Sequence, residues 1–161
     1  MENLIKIIKD QFKLGLNGDH GLKHWQHVEK IGNYLASHTG ADGQIISLFA
    51  YLHDSKREDE YDDPEHGKRS ANFAKELHDK KLLSISKKQL DQLIFSCEFH
   101  SQPNTKSNDV TIQTCWDADR LDLVRLGITP KNEFLFTEKA KKKEAILFAI
   151  ELNKSYPQQI S

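Results

Sequence analysis

Apolar residues recur at intervals of three and four along most of the chain, which is the spacing of one face of an α-helix. The clearest stripe runs through Trp25, Val28, Ile31 and Leu35. No segment shows the period-two alternation of a half-buried strand. The pattern therefore predicts an all-α fold. Because 161 residues are enough to bury one core, we expect a compact single-domain helical bundle over 1–161.

The predicted helices are separated by short polar or glycine-containing segments. An amphipathic helix is predicted over about 1–16, and further helices over about 19–37, 45–54, 65–80, 86–100 and 111–126. Ser86 and Gln89 have the spacing of a capping box, which marks a helix start. Thr137 is predicted to cap a C-terminal helix over about 137–156, and Pro157 to end it.

Composition excludes several classes of partner. The formal net charge is -1, so the chain has no basic surface of the kind that binds nucleic acid or anionic membranes. Lys6, Lys9 and Asp10 interrupt the N-terminal segment, which lacks the apolar core of a signal peptide. Cys97 and Cys115 form no CxxC pair and are predicted to be small buried hydrophobes. We expect a cytoplasmic protein that binds neither nucleic acid nor membranes.

Three short stretches place histidine and aspartate beside apolar residues. His24 lies on the apolar stripe of its predicted helix, and His53 and Asp54 follow the apolar body of the next helix. Asp119 lies among the apolar residues of 115–123, where a carboxylate is costly to bury unless it is paired or binds a metal. Two neutral imidazoles and two carboxylates suit a divalent ion such as Mn, Fe, Co, Ni or Zn. The sequence therefore predicts one metal site built from His24, His53, Asp54 and Asp119.

The order of these residues resembles that of the HD-domain superfamily of metal-dependent phosphohydrolases. Residues 20–24 (HGLKH), 49–54 (FAYLHD) and 118–122 (ADRLD) carry the likeness and frame a motif core of about 19–127. The resemblance implies an HD-type helical bundle with a central metal site. It also implies a catalytic role for Asp54, as a ligand that helps to deprotonate an attacking water.

Five further residues are candidates for binding the substrate. His66 and His100 fall where some members of the superfamily bind a second metal or contact the substrate phosphate. Arg57 and Lys56 directly follow the His-Asp pair and suit a phosphate. His20 is a candidate for facing the substrate. The alternatives are helix capping or surface exposure for the histidines, and charge balance within the acidic stretch 55–64 for the two cations.

Two aspartates near these stretches are candidates for a supporting role, whereas a third histidine there is not. Asp122 either orients a metal ligand by a hydrogen bond or pairs with Arg120 or Arg125. Asp117 is a second candidate for orienting a ligand. His27 is predicted to face solvent.

The expected function is a metal-dependent phosphohydrolase that acts on a phosphomonoester or nucleotide through a metal-activated water. The expected cofactor is one divalent transition metal, and a second ion near His66 and His100 is left open. Two alternatives stay open: a non-catalytic nucleotide- or metal-binding regulatory module, and a di-iron oxygenase of HD type. The sequence leaves the substrate, the metal and the oligomeric state undetermined.

Overall fold

The computed structural model describes residues 1–155, and all structural statements refer to these residues. The helices are α1 (Glu2–Asp10), α2 (Leu22–Thr39), α3 (Gly43–Leu52), α4 (His66–Asp79), α5 (Lys87–Phe99), α6 (Val110–Leu121) and α7 (Lys143–Ser155). Two short 3-10 helices, Asp122–Leu126 and Asn132–Phe134, lie between α6 and α7. The described residues contain no strand, which confirms the all-α prediction. None of these helices is long and apolar enough to cross a membrane.

Helix α3 lies at the centre of the fold. It is buried at every position from Ile45 to Leu52 except Ser47, and α2, α5 and α6 pack around it. The close approach of α2 needs Gly32, because a Cβ there would lie 2.4 Å from Cγ2 of Ile46. Helix α3 ends at Leu52 inside the bundle, so the next two residues, His53 and Asp54, are buried there.

Side-chain caps fix the starts of three helices. Asp42 and Asp109 each accept hydrogen bonds from two backbone N–H groups, in the first turns of α3 and α6 respectively. The predicted capping box is confirmed at α5, where Ser86 and Gln89 exchange both of its hydrogen bonds. Caps of this kind each contribute about 1 kcal/mol to helix stability.

The first helix is shorter than predicted. Helix α1 ends at Asp10 instead of continuing towards Leu16. Contacts with distant parts of the chain hold the following segment in turns. The Gln11 side chain donates to the backbone oxygen of Ser55 at 3.0 Å, and a Cβ at Gly21 would lie 2.2 Å from the backbone oxygen of Leu16. The prediction was wrong here because local spacing does not report such contacts.

The predicted start of the C-terminal helix is also wrong, because α7 begins at Lys143. The Thr137 hydroxyl donates to Asp117 Oδ2 at 2.7 Å and accepts a backbone N–H, which closes a turn before the helix. Asp117 also accepts the backbone N–H groups of Phe136 and Thr137, at 2.8 Å each. Asp117 therefore anchors this segment and contacts no predicted ligand. The predicted stop at Pro157 lies outside the described residues.

Candidate metal centre

Helix ends bring the four predicted ligands together. His24 lies in the first turn of α2, His53 and Asp54 directly follow α3, and Asp119 lies in the last turn of α6. The first three are at most 3% exposed, and the side chain of Asp119 is 20% exposed. We call these four residues the first cluster. It is closed on most sides and reaches solvent beside Asp119.

The donor atoms of the first cluster have the spacing of ligands around one ion. The Nε2 atoms of His24 and His53 are 3.0 Å apart. Asp54 Oδ2 lies 3.5 Å and 3.4 Å from these two nitrogens, and Asp119 Oδ1 lies 3.3 Å and 3.5 Å from them. Ligands bound at roughly 2.0–2.2 Å from a divalent ion are about 3.0–3.5 Å from one another. Each carboxylate oxygen therefore has the ligand-like spacing to both imidazole nitrogens, and the donor atoms of His24, His53 and Asp119 all lie within 4.8 Å of one another.

The hydrogen bonds of both imidazoles also fit a metal. His24 Nδ1 lies 2.7 Å from Asp122 Oδ2, and His53 Nδ1 lies 3.1 Å from the backbone oxygens of Phe49 and Ala50. A carboxylate or a carbonyl only accepts, so each Nδ1 carries a proton and each neutral ring presents the lone pair of Nε2. Two such lone pairs facing each other at 3.0 Å need a cation, either a proton or a metal ion, between them.

The carboxylates of the first cluster draw positive charge towards its histidines. Burial alone lowers the pKa of His24, but hydrogen bonds with Asp119 and two further aspartates outweigh it and raise the pKa to about 10. Burial also lowers the pKa of His53, whereas the charge of Asp54 and contact with Asp119 raise it, to about 9. A metal ion that binds this cluster therefore has to displace a proton from an imidazole.

His66 and His100 form a second group of donors on the other side of Asp54. Their Nε2 atoms are 2.9 Å apart and lie 3.2 Å and 3.3 Å from Asp54 Oδ1. We call His66, His100 and Asp54 Oδ1 the second cluster. Asp54 thus presents one carboxylate oxygen to each cluster. A wider grouping of His53, Asp54 and His100 also has donor atoms within 4.8 Å of one another.

Gly67 allows the second cluster to form. His66 begins α4 and His100 directly follows α5, so the two helices must approach closely at these ends. A Cβ at position 67 would lie 2.6 Å from the backbone oxygen of Glu98 and 2.8 Å from that of Cys97. Only glycine has room at this contact.

Arg57 points into the second cluster. Its Nη1 lies 3.3 Å from His66 Nε2 and 3.7 Å from Asp54 Oδ1. Its Nε donates to the backbone oxygen of Asp59 at 3.2 Å, and its side chain is 10% exposed. The structure therefore places this candidate in contact with one predicted ligand, Asp54, and with His66.

Other cations balance the acidic stretch after α3. Lys13 pairs with Glu58 at 2.5 Å, and Arg69 pairs with Asp63 at 2.6 Å. Lys56 lies over an aromatic ring of α4, with 4.1 Å from its Nζ to the ring centroid, and contacts neither cluster. Two of the acids in this stretch are therefore paired with cations other than Arg57 and Lys56, and the Lys56 side chain packs on the aromatic ring of Phe73.

The comparisons with known proteins agree with this architecture. A search of solved structures finds a predicted HD superfamily hydrolase from an uncultured Thermotogales bacterium, with a TM-score of 0.69. The two chains are 24% identical, and the match covers 96% of this chain and 89% of that one. No protein-family model and no curated protein matches the chain.

This chain has an HD-type fold. At 24% identity the likeness establishes the fold alone, and the predicted resemblance is confirmed at that level. Two groups of histidine and aspartate among the described residues could hold a metal ion, namely His24 with His53 and Asp119, and His53 with Asp54 and His100.

His20 lies at the rim of the first cluster of this HD-type fold. It precedes α2, whose N-cap is Gly21 without a side-chain cap, so the capping alternative is wrong. His20 Nδ1 lies 2.5 Å from Glu60 Oε2, and its ring centroid is 6.2 Å from that of His24. Burial lowers the pKa of His20. Glu60, which no sequence pattern singles out, therefore holds His20 beside the cluster.

Asp122 orients His24 from behind. Its carboxylate is fully buried and lies 2.7 Å from His24 Nδ1 and 3.0 Å from His27 Nδ1, with Arg125 at 3.5 Å. Both readings of Asp122 thus hold, and Arg125, not Arg120, is its arginine. The prediction that His27 faces solvent is wrong, since His27 is 0% exposed. Its position four residues before Ile31 on the apolar stripe was the available signal.

A polar cavity of about 290 Å³ borders His24. Two cations, Lys23 and Arg125, and one acid, Asp19, line it, together with Asn17, Gly18, Val124 and Asn153. Arg125 donates through Nε and Nη1 to protein oxygens, and no contact among the described residues involves its Nη2. The cavity is thus a mainly polar space beside the first cluster, with two cations in its lining.

Proposed function

We propose that this protein is a metal-dependent phosphohydrolase that acts on a phosphomonoester or nucleotide. The observation that carries the proposal is the facing pair of imidazole Nε2 atoms of His24 and His53, with the carboxylates of Asp54 and Asp119 beside them. Burial raises the pKa of both carboxyl groups, but contacts with the histidines lower it well below its usual range, so both groups are ionised. Such a set holds a divalent transition metal and leaves coordination positions for water and a substrate oxygen.

Four residues would hold the ion: His24, His53, Asp54 and Asp119. When bound, a divalent ion lowers the pKa of water and polarises a phosphoryl oxygen. Asp122 keeps the proton of His24 on Nδ1, so that Nε2 stays available as a donor. Asp54 Oδ1 has no hydrogen bond within the described residues, and in this proposal it accepts the proton of the attacking water.

The substrate phosphate would lie between the two clusters. Arg57 is a permanent cation whose Nη1 reaches His66 and Asp54, so it is placed to bind a phosphate oxygen. His100 is buried against the same carboxylate. The cavity that Lys23 and Arg125 line would take a further polar or anionic part of the substrate, which favours a nucleotide or sugar phosphate over a small neutral ester.

Turnover of phosphate esters tests this proposal. Protein purified without chelator and reconstituted separately with Mn²⁺, Fe²⁺, Co²⁺, Ni²⁺ and Zn²⁺ would be assayed against phosphomonoesters, nucleotides and dinucleotides. We expect metal-dependent release of phosphate that chelation abolishes. A folded protein that holds an ion in the first cluster and yet hydrolyses none of these esters would contradict the proposed function.

A further inference from the structure

Arg57 occupies the place that a second metal ion would need. Its Nη1 lies 3.3 Å from His66 Nε2 and 3.7 Å from Asp54 Oδ1, and nine-tenths of its side chain is buried. The backbone oxygen of Asp59 accepts a hydrogen bond from the Nε–H of Arg57. The guanidinium is therefore held in one direction, towards the donors of the second cluster.

The second cluster requires a cation for the same reason as the first. His66 Nδ1 contacts the backbone oxygen of Asp63, and His100 Nδ1 lies 2.7 Å from that of Cys97. Both rings therefore carry the proton on Nδ1 and present lone pairs on Nε2, which are 2.9 Å apart. Neither ring donates to Asp54 Oδ1, which is buried without a hydrogen bond.

The two clusters differ in how this requirement is met. Among the described residues, no lysine or arginine forms an ion pair with Asp119, whose partners are the histidines of its own cluster. In the second cluster Arg57 supplies a positive charge that does not titrate in the range of protein stability. A divalent ion there would lie a few ångströms from a guanidinium in a largely buried site, where like charges repel strongly.

We propose that Arg57 takes the place of a second metal ion, so that the centre binds one divalent ion, in the first cluster. This inference rests on the proposed function for the metal site and adds its stoichiometry. The substrate phosphate is then held between one ion and one guanidinium. Arg57 sets the metal count by excluding a second ion from His66, His100 and Asp54 Oδ1.

Metal stoichiometry tests the inference without using activity. Wild-type protein, Arg57→Ala and Arg57→Lys would be saturated with Mn²⁺ and analysed by elemental analysis and by electron paramagnetic resonance. Lys56→Ala is the matched control, because it removes the neighbouring cation that contacts neither cluster. We expect one equivalent in wild type, Lys56→Ala and Arg57→Lys, with the six-line signal of isolated Mn²⁺. We expect two equivalents and a spin-coupled signal in Arg57→Ala.

A further substitution locates the second ion. Adding His100→Ala to Arg57→Ala should return the count to one, because the second cluster then lacks a ligand. Circular dichroism checks that each variant folds. If Arg57→Ala does not fold, the number of bound Mn²⁺ equivalents is still measured in wild type and Arg57→Lys.

The outcomes separate the inference from the proposed function. Two equivalents in wild type, or one in a folded Arg57→Ala, overturn the role of Arg57 and leave the metal site intact. No bound ion in any of the proteins overturns the metal site and this inference together.

Discussion

The two clusters around Asp54 contain the same kinds of donor but differ in their source of positive charge. The first cluster has two imidazoles and two carboxylate oxygens, and no lysine or arginine among residues 1–155 forms an ion pair with its Asp119. The second has two imidazoles, one carboxylate oxygen and Arg57. The comparison teaches that a His-Asp cluster alone does not define a metal site. The charges around it decide whether an ion or a side chain fills it.

The largest effect should come from removing the residue that the clusters share. Asp54→Ala deletes a ligand of the first cluster and the partner of Arg57 in the second. We expect loss of the bound ion and at least a roughly thousandfold fall in phosphohydrolase activity. Elemental analysis and initial rates measure the two losses. Asp62→Asn, an exposed change in the same stretch, is the control, and equal metal content in Asp54→Ala and wild type would count against the shared role.

The next effect should be specific to the first cluster. Asp122→Asn replaces the acceptor of His24 Nδ1 by a group that can donate to it, which favours the proton on Nε2 and blocks the metal donor. We expect metal affinity to fall about 10- to 100-fold, measured by competition with a chelating dye. The control is Asp117→Asn, another buried carboxylate, which contacts Phe136 and Thr137 instead of a ligand. That change should lower thermal stability and leave metal affinity unaltered.

Proton competition should affect the first cluster at neutral pH. The pKa of His24 is raised to about 10 and that of His53 to about 9, so both values lie above pH 8. Below these values a bound proton must leave before metal binds, so affinity should weaken as pH falls, by about tenfold per pH unit for each proton displaced. Chelator competition at pH 6, 7 and 8 measures the slope. An affinity that is constant over this range would show that no proton is displaced.

The smallest effect should be confined to the second cluster. Gly67→Ala places a Cβ against the backbone of α5 and forces α4 away, which should cost about 1–3 kcal/mol of stability and separate His66 from His100. Metal affinity of the first cluster should stay near that of wild type. Gly43→Ala is the control, since the nearest atom to its Cβ is Asn33 Oδ1 at 3.7 Å. Thermal denaturation and dye competition report the two quantities, and loss of metal in Gly67→Ala would mean that the clusters are not independent.

Residue spacing predicted most of the helices, and it also predicted that the residues of the first cluster lie close together. His24 lies on an apolar stripe, and His53 and Asp54 end an apolar helix, so burial of those faces carries the polar side chains inward. The α5 start was predicted because Ser86 and Gln89 form a local cap. Features fixed by neighbours in sequence were therefore within reach of sequence reasoning.

The supporting contacts could not be predicted because they join distant parts of the chain. Asp122 contacts His24 across 98 positions, and Glu60 contacts His20 across 40. No local pattern selects these partners over the other acids of the chain. Likewise, the contact of Arg57 with His66 depends on how the chain between α3 and α4 folds, which no local pattern reports.

The central claim is that an ion binds at the first cluster, and an anomalous-scattering map tests it most directly. Crystals soaked in Mn²⁺ or Zn²⁺ would be measured at the absorption edge of the metal. We predict one strong peak about 2.0–2.2 Å from His24 Nε2, His53 Nε2, Asp54 Oδ2 and Asp119 Oδ1, with Arg57 still against Asp54 Oδ1. A map without a peak between these four atoms, at saturating metal, would contradict the account.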